Sequence, residues 1–131
     1  HVAAVVPDRG QGVPIAGMIA EIGDIARFPS ERALAQYAGL TWSRYQSGNF
    51  DAEDRSLSKT GNRYLRYYLV EAANSLRVHN EEYRAYYQTK YGEVPKHQHK
   101  RALVLTARKL VRLVYALLSK GQIYGKGQVS L

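Results

Sequence analysis

The 131-residue sequence predicts an all-α domain of about five helices around one core, and three observations carry that expectation. No segment alternates apolar and polar residues with the period of two that a half-buried strand needs. Successive stretches instead place apolar residues three and four positions apart. Glycine, proline or a small polar residue punctuates them where a helix would start or stop. An apolar fraction of 45% is ordinary for a globular domain of this length, which can bury a core without a metal or a disulfide.

The elements follow in chain order. Residues 1–12 include Pro7, Asp8, Arg9, Gly10 and Gly12, which punctuate rather than propagate structure, and His1 stands where a start Met is expected. They read as an N-terminal arm or tag remnant ahead of a helical domain over 13–120. Ile15, Met18, Ile19 and Ile22 have helical spacing, and the stretch from Asp24 to Pro29 breaks it. Ser30 is a plausible N-cap for a short helix over Arg32 to Ala38, stopped by Gly39. Leu40 to Ser58 has no sustained periodicity, so a long loop is expected between the second and third helices, and loops of that length inside a domain are commonly functional. Thr60 can cap a helix running to about His79, with Leu65, Tyr68, Leu69, Ala72 and Leu76 as its buried stripe. Glu81 to Tyr91 is a further amphipathic helix carrying Tyr83, Tyr86, Tyr87 and Tyr91, ended by Gly92 and Pro95. The last helix, about Lys96 to Lys120, buries Leu103, Ala107, Leu110, Val111, Val114, Leu117 and Leu118. Residues 121–131, with three glycines, read as a flexible tail.

Charge is unevenly placed. The net charge is +8, yet residues 1–95 hold eleven Lys/Arg and eleven Asp/Glu and so sum to zero. Residues 96–131 hold eight Lys/Arg and no acid, so the whole excess sits in the last segment. Such a concentration attracts phosphate backbones, although many small domains are basic for solubility alone. The absence of cysteine excludes disulfides, thiolate metal sites and a cysteine nucleophile, and suits a cytoplasmic protein. No apolar run approaches the roughly 18 residues that span a bilayer, so no membrane association is expected.

The loop holds the first candidate for chemistry. Ser47 directly precedes Gly48, and a glycine there permits positive φ and lets a bulky substrate backbone come close to the hydroxyl. The same dipeptide is also a common turn. Arg44 and Arg55 bracket it, and Lys59, Arg63 and Arg66 surround the start of the third helix. The helix dipole favours acids at that position, and an anionic ligand would resolve the conflict. Lys100, Arg101, Arg108, Lys109 and Arg112 form a second basic set on the flank of the last helix.

These residues carry a resemblance. Tyr37, Ala38, Gly39, Leu40, Thr41, then Arg44, Tyr45, Gln46, Ser47, Gly48, then Leu57, Ser58, Lys59, Thr60, Gly61, Asn62, with Leu65 and Arg66, closely resemble the C-terminal domain of the insertion-sequence 110/116/902 transposases. The likeness runs from about Ile15 to Ser119 and includes Ala20 to Asp24, Phe28 and the final basic helix. It departs at Trp42, where a proline is common, and at Phe50, Asp51, Glu53 and Asp54, where small or basic residues are frequent.

The resemblance implies a prokaryotic, nucleoid-associated enzyme of DNA recombination in which Ser47 attacks a DNA phosphodiester and is left joined to the strand. Their charge and placement, read beside that resemblance, make Arg44, Arg55, Lys59, Arg63 and Arg66, with the basic set of the last helix, the expected phosphate-binding residues. The resemblance further implies DNA as partner, a bridge RNA as guide, a homo-oligomer as the working form, and Mg²⁺ held by an acidic RNase H-like domain rather than by this one. No metal or other cofactor is expected on this chain, which would then cut nothing by itself.

Other readings of the same residues stay open. Tyr45 is a rival nucleophile, since a phenolic oxygen also forms phosphoesters. His97 and His99 lack an obvious third ligand and read as a solvated helix start. The tyrosines of the fourth helix read as core or interface. The alternative function is a non-catalytic DNA- or RNA-binding module in which Ser47 is only a turn residue, and a third is a helical oligomerisation domain.

Overall fold

A computed structural model describes residues 15–41 and 62–121. The described residues form five α-helices and no strand: α1 (Ile15–Ile22), α2 (Glu31–Tyr37), α3 (Arg63–His79), α4 (Glu81–Tyr91) and α5 (Gln98–Ser119), with a 3-10 turn at Ile25–Arg27. The all-α class and the number of helices agree with the sequence expectation. The long loop between α2 and α3, the arm over 1–12 and all but the first residue of the tail lie outside the described residues.

The turns explain why the first two helices stop where they do. α1 ends at Gly23, whose φ of 69° is strained for a residue with a Cβ, and its N–H donates to the Ile19 carbonyl. α2 opens on Ser30, whose hydroxyl accepts from the Ala33 N–H at 3.1 Å as an N-cap should. It closes in a Schellman motif. Gly39 has φ 74° and donates to the Gln36 carbonyl, while Leu40 donates to the Ala35 carbonyl at 2.8 Å and buries its side chain completely.

α3, α4 and α5 pack against one another in a three-helix layer, and the smaller elements dock on it: α1 on α3, α2 and the 3-10 turn on α5. The core is a single cluster that draws Met18 and Ile22 from α1, Leu34 from α2, Leu65, Leu69 and Leu76 from α3, and Leu110, Val111 and Val114 from α5. α1 approaches α3 closely at Gly17, where a Cβ would lie 2.9 Å from the tip of the Tyr68 ring. Thr106, buried in α5, satisfies its hydroxyl by donating to the Ala102 carbonyl one turn back.

Two details of the expected pattern shift. The cap of α3 is Asn62 rather than Thr60, because the Asn62 side chain accepts from both the Tyr64 and Leu65 N–H groups, at 2.9 and 3.0 Å. On the buried stripes, Ala73 of α3 and Ala102 and Val104 of α5 are buried, while Tyr68, Leu103 and Leu117 are only partly covered. α5 touches several partners, so its buried face is wider than one periodic stripe. Among the described residues no helix is long and apolar enough to cross a membrane.

Candidate nucleic-acid interface

The chain leaves the described part at Thr41 and re-enters at Asn62, and a hydrogen bond joins the two flanks: the Asn62 N–H donates to the Tyr37 carbonyl at 2.5 Å. The Asn62 amide nitrogen also donates to the Glu21 carboxylate at 2.8 Å and to the Tyr37 hydroxyl at 3.2 Å. One side chain thus caps α3 and ties it to the ends of α1 and α2. Arg27 completes the junction from the other side. Its guanidinium donates to the Ile22 carbonyl at the end of α1 at 2.8 Å, and lies over the rings of Phe28 and Tyr37 at 4.8 and 4.7 Å. The Asn62 hydrogen bond, helped by Arg27, holds the Tyr37 phenol below the usual tyrosine range against the opposing effects of desolvation and Glu21.

Past this junction the first turn of α3 directs Arg63 and Tyr64 outward while Leu65 enters the core. It contains no acid, and Arg63 lies over the Tyr64 ring at 5.5 Å. Tyr64 and Tyr67 are the most exposed large hydrophobic residues described, at 58% and 59%. Arg66 sits on the same turn, half-buried and engaged. Sequence periodicity passes over both tyrosines, because it picks out the buried stripe and assigns everything else to solvent.

The basic set of α5 is divided by its partners. Arg108 grips Glu31 of α2 with two guanidinium nitrogens, one of them at 3.4 Å, and both side chains are largely covered. Arg101 pairs with Glu93 at 3.1 Å and donates to the Lys90 carbonyl at 3.0 Å, tying α5 to the end of α4. Lys90 and Arg101 together keep the Glu93 carboxyl below the usual carboxylate range. Lys109 pairs with Glu82 at 3.0 Å and stands over the Tyr83 and Tyr86 rings. These three cations therefore hold helices together with charges the sequence assigns to a free surface. Lys100 and Arg112 remain exposed, Lys100 with a partner and Arg112 beside an open groove lined by Asn80, Glu82, Tyr83, Lys109 and Leu113.

Ser47, Arg44, Arg55 and Lys59, with the rival Tyr45, lie outside the described residues. Of the predicted site, the described residues therefore hold Arg63 and Arg66 on α3 and the α5 set. His99 is engaged rather than only solvated, since its Nδ1 lies 2.6 Å from the Tyr87 hydroxyl. Among the described residues no three His, Asp or Glu side chains gather as metal ligands.

The junction brings together three of the sequence blocks, with Glu21 from the block at 20–24, Tyr37 from that at 37–41 and Asn62 from that at 57–62. A family model, that of the transposase IS116/IS110/IS902 family, matches residues 11–88, which is 78 of 131 residues. The chain belongs to that transposase family. The match takes in α1, α2, α3 and most of α4 of the transposase domain, and ends before α5. Compared with curated proteins and with solved structures, the domain finds no significant match.

Proposed function

We propose that this transposase domain supplies the serine nucleophile for DNA strand transfer, with Ser47 attacking a DNA phosphodiester. The Oγ–P bond forms as a P–O bond to the neighbouring nucleotide breaks, the serine proton passes to a base, and the departing oxygen is protonated to a hydroxyl. The strand is left as a phosphoserine ester whose energy is kept for rejoining. The observation that supports this reading is the Asn62 junction. It ties Asn62, where the chain re-enters after the stretch that carries Ser47, to Tyr37 at the end of α2 just before that stretch, beside the basic first turn of α3.

In this reading Arg44, Arg55, Lys59, Arg63 and Arg66 position the strand and offset the charge that develops on phosphorus. Lys100 and Arg112 follow the backbone further off, with Arg101, Arg108 and Lys109 as supports of the fold first. The described residues offer no ligand set for Mg²⁺. Metal activation is assigned, on the family resemblance, to an RNase H-like domain, and no step is routed through a metal here. A bridge RNA guide and an oligomeric working form belong to the same proposal.

Trapping the covalent adduct between the complete transposase and labelled DNA tests the nucleophile. Wild type is expected to form it and Ser47→Ala to form none, with Tyr45→Phe unchanged. Equal adduct in wild type and Ser47→Ala would leave a binding module without chemistry at this serine.

A further inference from the structure

Tyr64 and Tyr67 are one turn apart on α3, each with more than half of its surface in water, and a helix of this amphipathic kind could have carried a lysine or glutamate at either position. Residues three apart on a helix are neighbours, so the two rings share one face. Arg63 already stands over the Tyr64 ring, and on the exposed side of α3 the first acid after Tyr67 is Glu71, one turn beyond it. The other nearby acid, Glu21, is held by Asn62. Among the described residues the patch is therefore aromatic and positive at the start of α3 and turns acidic only past its second ring.

We infer that Tyr64 and Tyr67, with Arg63, form a stacking platform for unpaired bases of single-stranded nucleic acid. Every base has a π-face, so the rings hold unpaired bases in any sequence while the guanidinium holds phosphate. Paired bases in a duplex are stacked on each other and present no face to the rings. Charge decides the occupant, since two exposed rings, the first with an arginine over it, suit a polyanion with flat apolar groups better than a second copy of the same positive surface. The inference rests on the proposal that this domain handles nucleic acid and adds which state of it α3 grips.

Fluorescence anisotropy of the 131-residue chain with a labelled single-stranded DNA, the same sequence as RNA, and the DNA duplex provides the test. The Tyr64→Ala/Tyr67→Ala variant is expected to lose about tenfold or more in single-strand affinity and less than about threefold on duplex. The Tyr64→Phe/Tyr67→Phe variant keeps the rings and should bind like wild type, and circular dichroism of both should match wild type because neither residue is in the core. The RNA and DNA arms show which single strand is preferred. A double alanine variant within about twofold of wild type on single strands, or weakened equally on single strand and duplex, overturns the platform while leaving nucleic-acid handling intact. A wild-type chain that binds none of the three overturns both. Wild-type dimers that the alanine variant dissociates would assign the pair to contact between copies and overturn the platform alone.

Discussion

At Asn62 a single amide caps a helix and bridges two others, and its two halves separate by substitution. Asn62→Ser keeps an oxygen able to cap α3 but is too short to reach Glu21 and Tyr37; Asn62→Ala loses both roles. A helix cap is worth about 1 kcal/mol, and net hydrogen bonds about as much each. Urea denaturation is therefore expected to show losses of about 1 kcal/mol for Ser and about 2 kcal/mol or more for Ala. An alanine variant as stable as wild type would remove Asn62 from the role given to it. Tyr83 makes a second residue-scale case. Burial, with Glu82 adding to it and Arg112 opposing, pushes its phenol up to about 12 from an ordinary 10.0. A group whose folded pKa is raised stabilises fully below the unfolded value and loses that contribution as pH rises through the folded one. Stability should fall between about pH 10 and pH 12 by roughly 2–3 kcal/mol on this account. Tyr83→Phe carries no such proton, so its urea midpoint should change less than that of wild type between about pH 9 and pH 11.5. Parallel changes in the two would show that the drop comes from other groups.

Among the elements, α5 shows how charge on a sequence differs from charge on a surface. Its basic residues carry most of the net excess of the chain, but Arg101, Arg108 and Lys109 meet acids from other elements, and those acids come from a segment that is neutral by count. Composition adds charges and cannot say which ones face each other. Hence Arg108→Ala should cost about 1–3 kcal/mol in stability, since it leaves the half-buried Glu31 without its fork. It should change the salt dependence of DNA binding little. Arg112→Ala is expected to do the reverse, lowering the slope of log affinity against log salt by about one with an unchanged melting temperature. Equal effects of the two variants on the slope would return Arg108 to the binding surface. Helices themselves are legible in the sequence wherever apolar spacing is strict. α4 spans the expected Glu81–Tyr91, and α3 ends at the expected His79. Legibility fails at contacts between distant segments. Thr60 has the right residue type near the right place for a cap, whereas Asn62 is chosen by partners 41 and 25 positions away in the chain. Tyr64 and Tyr67 escape for a related reason, since periodicity finds what is buried and is silent on what an exposed ring is for.

Among the described elements, every smaller one leans on the pair formed by α3 and α5, so the described core is one packed cluster and is expected to unfold as one body. The Tyr115 hydroxyl of α5 donates to the Phe28 carbonyl at 3.0 Å, Arg108 of α5 holds Glu31, and Asn62 of α3 holds the ends of both α1 and α2. A corner tied from two directions suits the proposed nucleophile, because an attacking oxygen gains from being held in place before its substrate arrives. Cooperativity of this kind can be tested away from any nucleic acid. Leu110 is fully buried on α5, inside the single core cluster. Leu110→Ala should cost about 2–5 kcal/mol, as cavities of that size do. If the core is one body, far-UV circular dichroism, which tracks the helices, and tyrosine fluorescence, which tracks packing, should lose signal at one shared and lowered midpoint. Two separated midpoints in wild type or variant would show that α1 and α2 unfold independently of the α3–α5 layer. The Asn62 corner would then be a contact between two units that could part during the reaction, rather than a fixed base for it.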